Sequence, residues 1–135
     1  MMSLKIIPFY AGLLGLLYVI LLVRVIGTRR SVKVPFGSGG NALLERRMVV
    51  QINFTEFVPL ILLLLAFLEM NLMPALVLHA LGLGLLASRV IHAFGVSQEN
   101  ENYLWRTIGT ASSIALTFVA SALTVYVTAA WMLTG

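Results

Sequence analysis

Polar and ionisable side chains interrupt the second long apolar segment of the chain, and their spacing could support chemistry. Apolar segments normally exclude amides and carboxylates because burying them in hydrocarbon is costly. At about 100° per residue, Arg46, Asn53 and Glu56 fall on one side of a helix. A guanidinium, an amide and a carboxylate can satisfy one another there, or bind a polar ligand. We expect Glu56 to be ionised and paired with an arginine of helix one, two or three.

The composition defines the class of protein that must hold these residues. Of the 135 residues, 60% are hydrophobic and 10% charged, against roughly 25% charged in soluble domains. We therefore expect an all-α integral membrane protein, one domain over residues 1–135, in contact with the lipid bilayer. The absence of cysteine excludes thiolate sites, and two histidines without aspartate make a zinc site unlikely.

Four apolar stretches are long enough to cross a bilayer as helices, at about 20 residues each. The predicted spans are Ile6 to Ile26, Met48 to Leu68 with a helical extension back to Asn41, Met73 to Phe94, and Thr107 to Leu133. Asn41 is a suitable cap for the second helix. The predicted fold is a bundle of four transmembrane helices.

Lysine and arginine set the expected orientation. The connection between spans one and two is rich in Arg and Lys, and Arg89 and Arg106 flank the connection between spans three and four, whereas the turn at residues 69–72 has no basic residue. The positive-inside rule then places both connections in the cytoplasm and both termini outside it. This explains the net charge of +4 without a nucleic-acid partner.

Stripes of small residues predict how the helices pack, because close approach replaces the hydrophobic effect between helices in lipid. The third span carries a small residue at every fourth position, and so does the fourth: Ala80, Gly84 and Ser88, then Gly109, Ser113, Thr117 and Ser121. A polar pore lined by the same hydroxyls is the alternative interpretation. Pro59 lacks the donor for the Thr55 carbonyl, so we expect a bend in the second helix.

Two motifs together resemble those of the MAPEG family, the membrane-associated proteins in eicosanoid and glutathione metabolism. The first is Asn-x-x-Glu-x-x-Pro, from Asn53 through Glu56 to Pro59, and the second is Arg-x-x-His, from Arg89 to His92. Chain length, span number and loop charges are similar to those of the short bacterial members, which implies a bacterial inner membrane.

The resemblance implies a homotrimer of four-helix protomers that binds glutathione between neighbouring protomers near the cytoplasmic side. Matched by position, Asn53 and Glu56 correspond to the ligand-binding pair of helix two, and Arg46 to a basic residue at the start of that helix. Arg89 and His92 correspond to the motif of helix three. Arg106 is matched to the arginine assigned to thiolate activation. The implied activity is that of a glutathione-dependent transferase or peroxidase acting on lipophilic small molecules.

The sequence departs from the family's enzymes at three positions. Val49 stands where an arginine is usual, and Phe57 and Phe94 lack hydroxyls that many relatives have. Losing one charge-assisted hydrogen bond costs about 1.5–3 kcal/mol, so we expect glutathione to bind weakly or not at all.

Other roles stay open for the same residues. Arg89 and Arg106 could reach the interface as membrane anchors, Glu56 could only hold the bundle together, and His92 could be an interface anchor or a site member. His79 is expected to hydrogen-bond between helices. The alternative function is a non-catalytic membrane protein of the same fold that binds a lipid or protein partner. A proton-coupled exporter is a third possibility, although its acid usually lies in the first helix and span one has none.

Overall fold

Four long helices make up the protein. A computed structural model describes residues 4–97 and 103–134. The helices are α1 (Ile6–Val32), α2 (Ala42–Met70), α3 (Ala75–Ser97) and α4 (Tyr103–Thr134), and the described residues contain no strand. All four are long and apolar enough to cross a membrane. The predicted membrane bundle is confirmed, including the extension of the second helix to residue 42.

The helices run up and down, with α2 and α3 in the middle. α1 packs against α2 and α3, α4 packs against the same two helices, and described residues of α1 and α4 make no contact. Fully buried apolar side chains form a core along the bundle, among them Leu14, Ile61, Leu65, Leu85 and Ala120. Large apolar side chains also cover the outside, for example Leu16 and Phe118. An exposed apolar surface on all sides is what a lipid environment requires.

Backbone groups at the helix ends have specific partners. The Asn41 side chain accepts a hydrogen bond from the Leu44 amide at 2.9 Å, which confirms the predicted cap of α2. α1 continues past its predicted end at Ile26 because its basic last turn suits the negative end of the helix dipole. The Glu69 carboxylate, at the far end of α2, accepts the backbone amides of residues 5, 6 and 7 at 2.7, 2.7 and 2.9 Å.

The small-residue stripes lie mainly between α3 and α4, as predicted. The Ser88 and Ser113 hydroxyls are 3.3 Å apart, and a Cβ on Gly84 would lie 3.5 Å from Leu116. Ala80 is an exception, because it is exposed. α2 is continuous through Pro59, and the bend stays a prediction.

Candidate functional site

Arg89 lies in the centre of the bundle and is 1% exposed. Its Nη1 donates to Asn53 Oδ1 at 2.7 Å, and its Nη2 donates to the Gly109 carbonyl at 2.7 Å and to the Ser113 hydroxyl. Its Nε donates to Ser88 Oγ at 3.5 Å. One cation thus joins α2, α3 and α4 through neutral acceptors.

Glycine makes this geometry possible. A Cβ on Gly109 would lie 2.6 Å from His92 Cβ, and a Cβ on Gly95 would lie 2.6 Å from Trp105 Cβ. Side chains at either position would push α4 away from α3. The close approach brings the Gly109 carbonyl within reach of Arg89 and buries His92, which is 3% exposed.

Residues of the two predicted motifs therefore bind each other. Asn53 and Arg89 are bonded inside the protomer, and the Phe57 ring lies under the guanidinium, 5.4 Å from its carbon atom. A phenylalanine there contributes a cation–π contact in place of a hydroxyl. With one face on the ring and its donors occupied, Arg89 offers almost no free surface to a ligand.

Glu56 is exposed on the outside of α2. Its expected ion pair with an arginine is not formed within the described residues of one protomer. Helical periodicity places Glu56 near Asn53, but Asn53 turns towards Arg89 while Glu56 lies on the surface.

Two other predicted residues, Arg46 and Arg106, come together at the end of the bundle where α2 begins and α3 ends. They line a cavity of about 360 Å³ together with Ala42, Glu45, Val49 and Val96; we call it the arginine groove. Two guanidiniums and one carboxylate meet there beside the N-terminus of α2, whose helix dipole adds positive potential. The volume is within the usual range for small-molecule sites, about 300–1,000 Å³.

Arg106 also lines a second cavity, which we call the α4 groove. It has a volume of about 380 Å³, and its other lining residues are Tyr103, Thr107, Thr110, Ala111 and Ile114. This surface is mostly apolar, and its polar groups belong to Arg106, Tyr103 and two threonines. Arg106 thus lines both a charged groove and an apolar one.

Sequence reasoning missed the role of Glu45 and the partners of Arg89. Glu45 stands directly before Arg46 in α2, and both residues line the same cavity. For Ser88, Gly109 and Ser113 the sequence predicts helix packing, with a polar pore lined by the hydroxyls as the alternative. Their spacing of four predicts a helix contact, but only the tertiary structure shows that a cation is held inside it.

Four apolar helices around a polar centre, with arginines gathered at one end, define an integral membrane protein of the four-helix class. The sequence model of the MAPEG family matches residues 7–126, almost the whole described chain. The protein belongs to the MAPEG family, whose members are four-helix membrane bundles and generally oligomeric. No curated protein matches the chain.

Proposed function

We propose that the protein binds glutathione in the arginine groove and transfers it to lipophilic electrophiles. The observation that carries the proposal is the position of Arg106, which lines both the charged groove and the apolar one. A thiolate held beside Arg106 in the first groove would meet an apolar molecule lying in the second.

The charges of the groove are complementary to glutathione, which has two carboxylates and one ammonium group. Arg46 and Arg106 provide two cations, and Glu45 provides one anion. Guanidinium groups bind carboxylates with two parallel hydrogen bonds, which gives orientation as well as affinity. Val49 lines the same groove, so the arginine that is usual there in the family's enzymes would be a third cation.

The chemistry requires the thiolate, because the thiolate and not the thiol is the nucleophile. A cation beside the sulfur favours loss of the thiol proton to water, and Arg106 is the cation in the right place. The sulfur then attacks an electrophilic carbon, a C–S bond forms, and the leaving group departs with its electron pair. In the peroxidase form of the activity, the same thiolate would attack the outer oxygen of a lipid hydroperoxide, the O–O bond would break, and the lipid alcohol would leave after taking up a proton. The glutathione sulfenic acid formed in this step would then condense with a second glutathione to give the disulfide and water.

The proposal includes a homotrimer in a bacterial inner membrane, with the grooves facing the cytoplasm, where glutathione is found. Two features support an assembly of several copies. The Glu56 carboxylate is exposed at the level of the apolar span, where an uncovered charge is costly. Both grooves are open along their sides, so a neighbouring protomer could complete the glutathione site and supply a cation to Glu56.

Calorimetry of purified protein with glutathione tests the site. Arg46→Ala and Arg106→Ala should each weaken binding about tenfold or more, the equivalent of one charged hydrogen bond of about 1.5–3 kcal/mol. Val49→Arg should strengthen it and raise the rate of conjugation to an apolar electrophile. Arg30→Ala is the control, because this exposed arginine on α1 lines neither groove.

One observation favours the alternative, a non-catalytic protein that binds a lipid or protein partner. Arg89 donates its hydrogen bonds to groups inside the protomer. Because position 49 is a valine, the groove has one cation fewer than in the family's enzymes. If wild type neither binds glutathione nor conjugates it, and Val49→Arg restores neither, the alternative replaces the transferase proposal.

A further inference from the structure

Two arginines face each other between α1 and α2, on the other side of α2 from the arginine groove, and no described acid pairs with either of them. Arg24 and Arg47 are both half-buried and repel each other. The Arg47 Nη1 donates to the Arg24 carbonyl at 3.3 Å and to the Thr28 hydroxyl, which itself donates to that carbonyl at 2.8 Å. These contacts fix the guanidinium of Arg47 against α1.

Two donors of Arg47 are unpaired among the described residues. Its Nε is buried without a hydrogen-bond partner, whereas its Nη2 donates to no described atom and is not enclosed in the same way. Nη2 is therefore the donor of Arg47 that an anion at the seam can reach, and guanidinium N–H groups bind carboxylates and phosphates strongly. The Arg24 guanidinium also donates no hydrogen bond to the described part of the chain. A buried, unpaired donor on a cation is costly, so the pair lacks an anion.

The depth of the pair indicates which anion is available. Arg24 lies 18 residues after Ile6, the first residue of α1, or about 27 Å along the helix at 1.5 Å per residue. The hydrocarbon core of a bilayer is about 30 Å thick, so the pair lies at the level of lipid phosphates. Towards the interior, Gln51 Nε2 donates to the Tyr18 hydroxyl at 3.3 Å and closes the seam.

We propose that Arg24 and Arg47 bind the phosphate of an anionic phospholipid at the α1–α2 seam. The phosphate oxygens accept from Nη2 of Arg47 and from the guanidinium of Arg24. Two cations without an acid favour a lipid with net negative charge over a zwitterionic one. Glu45 belongs to the opposite side of α2, in the arginine groove. The site is separate from the proposed glutathione site and does not depend on it.

Native mass spectrometry of the full chain, with phosphatidylglycerol or phosphatidylcholine of identical acyl chains, tests the site. Wild type should retain phosphatidylglycerol about tenfold better. Arg24→Gln removes one cation and should abolish most of the preference. Arg47→Lys keeps the charge but removes the guanidinium donor, so it should weaken retention of both lipids. Arg30→Gln, which removes an exposed cation nearby, should change the preference less than about twofold. Thermal unfolding of each variant shows whether the fold is retained.

Several results would overturn the proposal. Equal retention of the two lipids, an unchanged preference in folded Arg24→Gln, or unchanged retention of both lipids by folded Arg47→Lys removes the lipid site. Inorganic phosphate that displaces phosphatidylglycerol at comparable concentration indicates a site for a free anion. Loss of oligomers in both variants, with lipid binding unaffected, indicates that a carboxylate of a second copy covers the pair.

Discussion

A double-mutant cycle on Arg89 and Asn53 tests whether Arg89 holds the bundle together. The first change is Arg89→Met, which keeps an unbranched apolar side chain in the core. The second is Asn53→Leu, which removes the acceptor on α2. The two side chains are joined by a 2.7 Å hydrogen bond, so each single change breaks the same contact.

The expected magnitudes follow from which groups are left unpaired. Arg89→Met removes four hydrogen bonds, which at about 0.6 kcal/mol each in membrane proteins sum to about 2.4 kcal/mol. The Gly109 carbonyl keeps the hydroxyls of Ser112 and Ser113 at 3.1 and 3.0 Å, and the Ser88 and Ser113 hydroxyls stay 3.3 Å from each other. Asn53 Oδ1 is therefore the acceptor left without another partner among the described residues. Removing a buried charge also relieves its desolvation, which reduces the loss to about 1–2 kcal/mol. Asn53→Leu leaves a donor of a buried cation unpaired and should cost about 1.5–3 kcal/mol.

The double variant leaves neither group unpaired. Its loss of unfolding free energy should therefore be smaller than the sum of the two single losses, by about 1 kcal/mol or more. Unfolding by denaturant titration in detergent micelles measures all four free energies. The cycle of Arg30→Met with Asn53→Leu is the control and should be additive, because Arg30 is exposed on α1. Additivity of Arg89 with Asn53 to within about 0.5 kcal/mol would refute the role of Arg89 as an internal cross-link.

Three further changes test other parts of the fold. Glu69→Ala removes the acceptor of three amides at the start of α1, so the free energy of unfolding should fall by about 1–2 kcal/mol. Hydrogen exchange of the amides of residues 5–7 should become faster, and an unchanged exchange rate would contradict the cap. Gly109→Ala places a Cβ 2.6 Å from His92 Cβ and should cost about 1–3 kcal/mol, whereas Gly12→Ala, which meets open space, should be nearly neutral in the same denaturant titration. Tyr10→Phe removes the 3.0 Å hydrogen bond to His79 Nδ1 and should lower stability by about 1 kcal/mol, a loss that should vanish when His79 is already replaced by Leu.

The features that the sequence predicts correctly are those that depend on local pattern. Span length and hydropathy identify all four helices. Asn41 caps α2 because side chain and amide are neighbours in the chain. The contact of His79 with Tyr10 also confirms an expected bond between helices. Tyr10 is itself buried, with its ring beside Gly82 of α3.

The features that sequence reasoning misses depend on which helix each face meets. Periodicity places Asn53 and Glu56 on one side of α2. It cannot show that α3 packs against Asn53 but leaves Glu56 uncovered. Arginine and serine motifs likewise do not show whether a guanidinium binds a ligand or a neighbouring helix. Arg89 therefore matches a ligand-binding motif, while its atoms contact α2 and α4.

The Glu69 cap also constrains how the protein enters a membrane. The carboxylate that completes the first turn of α1 is encoded more than 60 residues after that turn. While a ribosome is still making α2, the emerging α1 has three unpaired amides at its leading end. They are satisfied only when the second helix has crossed the bilayer in the opposite direction. The first two helices thus form a biosynthetic unit, a hairpin whose insertion is complete only when its last residues arrive.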